Sequence, residues 1–192
     1  MDIRQKIFEM RSYTPIPFVL AMLIFAHPTV ASLAAGLMCA LLGEAIRFWG
    51  VSIAGSETRT TGTVGASHLV TEGPFGFVRN PLYVGNMLIY FGFGVMSNVY
   101  APWLALCALV FFAVQYHLIV SREEEHLCSA FGEEYQHYCE NVPRFIPRVT
   151  RYVGEHSFHR AVDLKRGLHS ERRTLQAFTI LSVVLIVKFF LG

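Results

Sequence analysis

The chain has 192 residues, 53% hydrophobic and only 16% charged, with a formal net charge of +2. That charged share lies well below the roughly 25% usual in soluble domains. It excludes a soluble globular domain or a nucleic-acid binder, and apolar stretches of membrane length predict an all-α polytopic membrane protein.

Residues 1–12 place Ile3, Ile7 and Met10 on one helical face, the pattern of an interfacial helix. They are too charged to lead into the core of a cleavable signal. The stretch Tyr13 to His27 is apolar but short, with Pro15 and Pro17 near its start. It is read as a first span that turns at His27-Pro28-Thr29, with a re-entrant segment as the competing reading. Apolar runs from Val30 to Ala54, Leu82 to Tyr100, Trp103 to Val120 and Leu175 to Leu191 each approach the about 20 residues that a crossing needs.

The organisation is therefore one integral-membrane domain of about five transmembrane helices: four within 13–121, a cytosolic part over 122–173, and a fifth span over 174–191. Ten of the sixteen basic residues are Arg47 or lie between Arg122 and Arg173, whereas the turns at Pro28 and at Asn98 to Pro102 hold none. The positive-inside rule then places the N-terminus in the cytoplasm and the C-terminus outside.

Several features carry no chemistry of their own. Glu44 and Arg47, at i, i+3 inside the second span, are expected to pair with each other. Thr58 to Ser67 reads as a loop, and Tyr152 to Arg173 as a basic surface helix leading into the last span. His156 and His159 lack a third ligand, so no metal site is expected. The four cysteines show no CxxC or zinc-type spacing and read as structural thiols.

Two polar segments flank the run from Trp103 to Val120. In the first, Gly73-Pro74 breaks the chain and Asn80-Pro81 starts a helix, since proline is tolerated at the first helical turn. The positive end of such a helix suits a carboxylate or phosphate. Helical periodicity puts Arg79, Tyr83, Asn86 and Tyr90 on one face, for ligand contact or for interhelical hydrogen bonds. In the second segment, Glu124 follows His117 by two turns and Glu123 follows Tyr116. A ligand with hydroxyls or an ammonium group would explain those acids, as would snorkelling at a membrane edge. Cys128, Phe131, Tyr135, Tyr138 and Val142 then repeat at 3 and 4, an amphipathic helix that stops at Pro143.

The stretch LVTEGPFGFVRNPLYVGN, followed by EExxL at Glu123 to Leu127, FGxxYxxY at Phe131 to Tyr138 and VPRFIP at Val142 to Pro147, resembles the isoprenylcysteine carboxyl methyltransferase and phospholipid methyltransferase superfamily in order and spacing. The resemblance covers about Arg47 to Pro147. It implies an integral-membrane enzyme that uses S-adenosylmethionine, with a cytosolic C-terminal helical lid. Carried over, Arg79, Asn80 and Tyr83 would hold the methionine end, with Gly73, Pro74, Pro81, Asn86 and Tyr135 also among the cofactor-binding residues. Glu123 and Glu124 would bind the ribose or amino group, His68, Leu69 and Val70 would pack the adenine, and Tyr135 belongs to the lid. Arg79, His117 and Glu124 are the catalytic candidates, His117 or Glu124 as proton acceptor for an amine.

Two departures bear on the acceptor. Asn80 stands where the isoprenylcysteine enzymes have His, and the turn before the paired acids, HLIVS, lacks their Arg. Both speak against a prenylcysteine carboxylate. The expected activity is methyl transfer to a lipid-like or small hydrophobic acceptor at the cytoplasmic face of a bacterial or archaeal inner membrane. An NADPH-dependent sterol-type reductase and a small transporter are the alternatives. The last span is open to two roles, a homodimer contact or a shield over the substrate entrance.

Overall fold

The computed structural model describes residues 3–55, 69–154 and 162–191. Among them the regular elements are helical: α1 (Ile3–Met10), α2 (Ile16–Ile24), α3 (Val30–Ala54), α4 (Pro81–Ser97), α5 (Trp103–Asn141) and α6 (Leu164–Leu191), with a 3-10 turn at Gly73–Gly76. Helices α3, α5 and α6 are long and apolar enough to cross a membrane. They keep large apolar side chains outside, among them Met38, Leu42, Val110, Val114, Ile180 and Val187. Such surface is costly in water and ordinary in lipid.

The bounds of α3 match the expected second span, and α4 starts at the proline of Asn80-Pro81. Three other expectations are revised. The first span contains only a nine-residue helix, α2, because Pro15 and Pro17 allow regular helix to begin only at Ile16. Residues 11–15 continue it as turns. The fourth span runs on as helix past Arg122 to Glu125, and α5 is two helices joined across a kink at Gly132 (φ 54°, ψ −125°), inside the expected amphipathic helix. That conformation is open chiefly to glycine. Finally, the helix expected from Tyr152 begins at Leu164. The loop Thr58 to Ser67 and both His156 and His159 lie outside the described residues.

The chain forms two compact units, Met1–Glu44 with Gly85–Ile119 and Arg173–Gly192, and Ala45–Val84 with Val120–Arg172. In the first, α3 and α4 touch through glycine. A Cβ on Gly36 would fall 2.4 Å from Gly92 O, and one on Gly43 would fall 2.6 Å from Gly85 O. Small residues at helical spacing let two backbones meet where lipid offers no hydrophobic drive. Phe112 is fully buried, stacked at 4.2 Å on Tyr90 and at 5.4 Å from Phe18. Lys188 caps α2 from α6, donating to Leu23 O (2.7 Å) and Ile24 O (3.1 Å), carbonyls that a helix end leaves open.

In the second unit, the end of α3 meets the start of α6. Arg47 donates to Glu171 Oε1 (2.9 Å) and Oε2 (2.7 Å), and Glu171 is buried. This carboxylate lies 124 residues from Arg47 along the chain. Ser52 O accepts from the Asp163 amide at 2.9 Å, and a Cβ on Gly167 would sit 2.2 Å from Ser52 Oγ. All four cysteines are free thiols.

Candidate functional site

Both polar segments fold together in the second unit. Gly73 has a positive φ of 57°, and a Cβ there would meet Ile53 Cδ1 at 2.1 Å. Glycine thus satisfies the backbone and the packing at once, and Pro74 presets the 3-10 turn it sits in. This turn aims Phe77, Val78 and Arg79 at the segment beyond α5. The Arg79 amide donates to Pro143 O, the Arg148 amide to Phe77 O and the Tyr152 amide to Gly76 O, each at 2.9 Å. The strap over 143–152 is therefore paired with residues 76–79. Tyr138 adds a side-chain bond, its hydroxyl donating to Phe75 O at 2.7 Å.

Arg79 is the centre of the arrangement. Its Nε donates to Glu124 Oε1 (3.0 Å), and its Nη1 donates to Cys139 O (2.7 Å) and Val142 O (2.8 Å). The guanidinium thereby caps the C-terminal carbonyls of α5, where cations are favoured. Arg144 grips the same carboxylate, through Nε on Oε1 (3.2 Å) and through Nη2 on Oε2. Asn80 donates to Arg144 O at 3.4 Å. One turn into α4, the Tyr83 hydroxyl donates to Glu123 Oε1 at 2.8 Å.

Two arginines share one glutamate here, and Glu123 lies beside them, accepting from the Tyr83 hydroxyl. Glu124 has both oxygens engaged by guanidinium groups. It ties Arg79 and Arg144 to one carboxylate. Arg144 is the residue that the sequence reading missed. It lies inside the quoted VPRFIP stretch, on irregular chain where no helical periodicity marks a face.

Tyr135, Tyr138 and Val142 form a buried cluster against which Leu69, Phe131, Cys139 and Tyr152 pack. Burial pushes the Tyr135 phenol well above its usual range, the Glu124 charge adding to the effect. Burial likewise raises the Tyr138 phenol and the Cys139 thiol. All three stay neutral near pH 7, so Tyr138 remains a donor and Cys139 is a packing thiol.

Of the remaining expected residues, Val70 is half-buried before the turn, and Pro74 and Pro81 are buried within it and after it. Asn86 and His117 belong to the other unit. His68 lies outside the described residues. Glu72, just before Gly73, has its Oε1 buried with no hydrogen-bond partner among the described residues. A hollow of about 700 Å³ in this unit is lined by Ser52, Ile53 and residues 162–166.

A model of the phospholipid methyltransferase family matches residues 31–134. The chain belongs to this family. Its helices α3, α4 and the first part of α5 carry the match, and the strap with Arg144 lies beyond it. Among curated relatives, the cobalt-zinc-cadmium resistance protein CzcN of Cupriavidus metallidurans is 35% identical over 150 residues, 73% of this chain and 63% of the relative. The nickel-cobalt-cadmium resistance protein NccN of Alcaligenes xylosoxydans xylosoxydans is 33% identical over 93 residues, 48% and 42% of the two chains. The protein-S-isoprenylcysteine O-methyltransferase of Rattus norvegicus is 32% identical over 127 residues, 60% and 41%. The chain thus spans less than two thirds of the length of each of these relatives. No solved structure matches it significantly. With three apolar helices of spanning length, this member of the family is a membrane protein.

Proposed function

We propose that the chain is an S-adenosylmethionine-dependent methyltransferase for a lipid-like or small hydrophobic acceptor, with its site at the cytoplasmic edge of the membrane. The observation that carries this reading is the Arg79–Glu124–Arg144 cluster beside Tyr83–Glu123. Guanidinium groups next to carboxylates complement an α-amino acid zwitterion, and the methionine end of the cofactor is one. Arg79 and Arg144 would face its carboxylate, with Asn80 and Pro81 setting the turn. Glu123 would take the ammonium or the ribose diol. The buried Oε1 of Glu72 calls for a donor, which the adenine amine would provide next to Leu69 and Val70. The bound cofactor supplies an electrophilic methyl group. The chain contributes position, a dry enclosure under Tyr135 and Tyr138, and, for an amine acceptor, His117 as the group that takes the proton.

The first unit supports a five-crossing topology with the N-terminus cytoplasmic. His27 donates its amide to Ser97 O, whereas Thr14 donates to Gln115 Oε1 at 3.0 Å. The chain from His27 back to Thr14 thus runs from the α4–α5 turn most of the way along the apolar part of α5. The name of the matched family and that of the Rattus norvegicus relative agree with methyl transfer, and Asn80 favours an acceptor other than a prenylcysteine carboxylate.

Calorimetry on the detergent-purified protein tests the cofactor. Saturable binding of S-adenosylmethionine that Glu123→Gln weakens supports the proposal, and Glu72→Gln should weaken it by about tenfold, the value of one charge-assisted bond of roughly 1.4 kcal/mol. Binding of NADPH without S-adenosylmethionine would overturn it. Turnover of labelled cofactor with co-purifying lipids tests the acceptor, and undiminished turnover in His117→Ala eliminates His117 as the proton acceptor.

A further inference from the structure

We propose that the strap over 143–153 is a second membrane-binding element, which inserts its apolar side chains into an anionic lipid surface. Its sequence is PRFIPRVTRYV, with three arginines and no acid. Phe145, Arg144, Arg148 and Tyr152 are half-buried against the unit, while the residues between them point away from it. Val149 is 97% exposed, Ile146 78% and Val153 69%. A β-branched or aliphatic side chain with nearly all its surface outside is common enough alone. Three of them on one short strap, recurring every three or four residues with Arg148 and Arg151 among them, make a patch.

Position identifies what covers that patch. Three backbone bonds fasten the strap to residues 76–79, the last residues before the apolar helix α4 starts at Pro81. On the reading that α4 enters the bilayer there, on which this inference rests, the strap is held at the level of the lipid headgroups. Apolar side chains interleaved with arginines suit that layer, where such elements reach about 5–10 Å into the headgroup and acyl boundary. Arg148 and Arg151, on a stretch that itself holds no acid, add attraction to anionic lipids that salt weakens. Arg151 is exposed, and Arg148 donates from Nη1 to Asn141 O at 2.7 Å, which steadies the strap's base. Arg144 is held by Glu124 and takes no part. Docking would bring the edge of the proposed site level with the phase that holds a lipid-like acceptor.

The test uses the full chain with Val149→Trp, reconstituted into phosphatidylcholine vesicles with and without phosphatidylglycerol, its emission read as the difference from the parent protein. Insertion predicts a blue-shifted tryptophan, quenched more by lipids brominated near the headgroup end of the acyl chain than near its tip. It also predicts a smaller shift without phosphatidylglycerol, and in Arg151→Gln. An emission typical of water, unquenched by any brominated lipid, overturns the proposal. A blue shift without lipid quenching also overturns it, since protein then covers the strap. Val153→Trp gives the same reading if the first variant does not accumulate. The signal needs no cofactor and no turnover, so a failed methyltransferase assay leaves it standing.

Discussion

Glu124→Gln isolates the contact that joins the two polar segments. The variant keeps the side chain's shape and removes the negative charge that Arg79 and Arg144 share. Arg79 retains Cys139 O and Val142 O, so its loss is partial, whereas Arg144 loses the carboxylate that both its Nε and its Nη2 address. The side chains are 12%, 13% and 27% exposed for Arg79, Glu124 and Arg144, between a surface pair and a buried one. Exposed pairs contribute about 0.2–1 kcal/mol, and stripping one partner from a buried pair costs about 3–5 kcal/mol. Solvent access to Arg144 favours the middle of that interval, about 2 kcal/mol. For a chain of this size that is a fall in midpoint of roughly 4–8 °C. Thermal unfolding in detergent, followed with a thiol-reactive dye on the free cysteines, reads it directly. Arg144→Gln combined with Glu124→Gln should cost less than the sum of the singles, because the second change removes the group left uncompensated. A midpoint within 1 °C of the parent (about 0.3 kcal/mol or less), or strictly additive singles, would refute the bridging role.

Gly92→Val should prevent the α3–α4 approach, because a Cβ there meets Ala40 N at 2.6 Å; the check is loss of monodisperse protein on size exclusion. Arg47→Gln leaves the buried Glu171 without its cation and should lower stability by about 3 kcal/mol, less if Glu171→Gln is added. Alkaline pH should unfold the second unit first. Tyr135, Tyr138 and Cys139 are raised in the fold, so the stability they add is complete below the ordinary thiol value of 9.0 and is lost as pH rises past it and past 10.0. Tyr138→Phe should flatten that decline in a pH series of thermal midpoints, and an unchanged slope would contradict the burial of its phenol.

How far the sequence revealed this arrangement depends on which force set each part. Lipid imposes length and apolarity along a whole segment, so the bounds of α3 could be read to the residue. Pro81 announced α4 because a missing amide costs nothing at a first turn. The joining of the fourth span to the amphipathic helix was not legible, since charges on Arg122 to Glu125 resemble a boundary although a helix carries them without interruption. Gly132 is the break, and a lone glycine does not declare whether it bends a helix. Residues of the first motif were found through helical phase, whereas their partner Arg144 sits on irregular chain, where phase has no meaning. The grip of Arg47 on Glu171 crosses 124 residues and leaves no local trace.

The three acceptors of Arg79 also fix an order of events in biosynthesis. They belong to residues 45, 60 and 63 positions further along the chain. At the usual 5–20 residues per second, the arginine waits roughly 3–13 s for the last of them to be made. Until Glu124 is made, its charge stands at the mouth of a nascent apolar helix, with only water and lipid phosphate to hold it. A ribosome that stalls before Glu124 therefore leaves α3 and α4 made, α6 unmade and the first motif unfinished. Quality control in the membrane could recognise such a chain by that single stranded guanidinium.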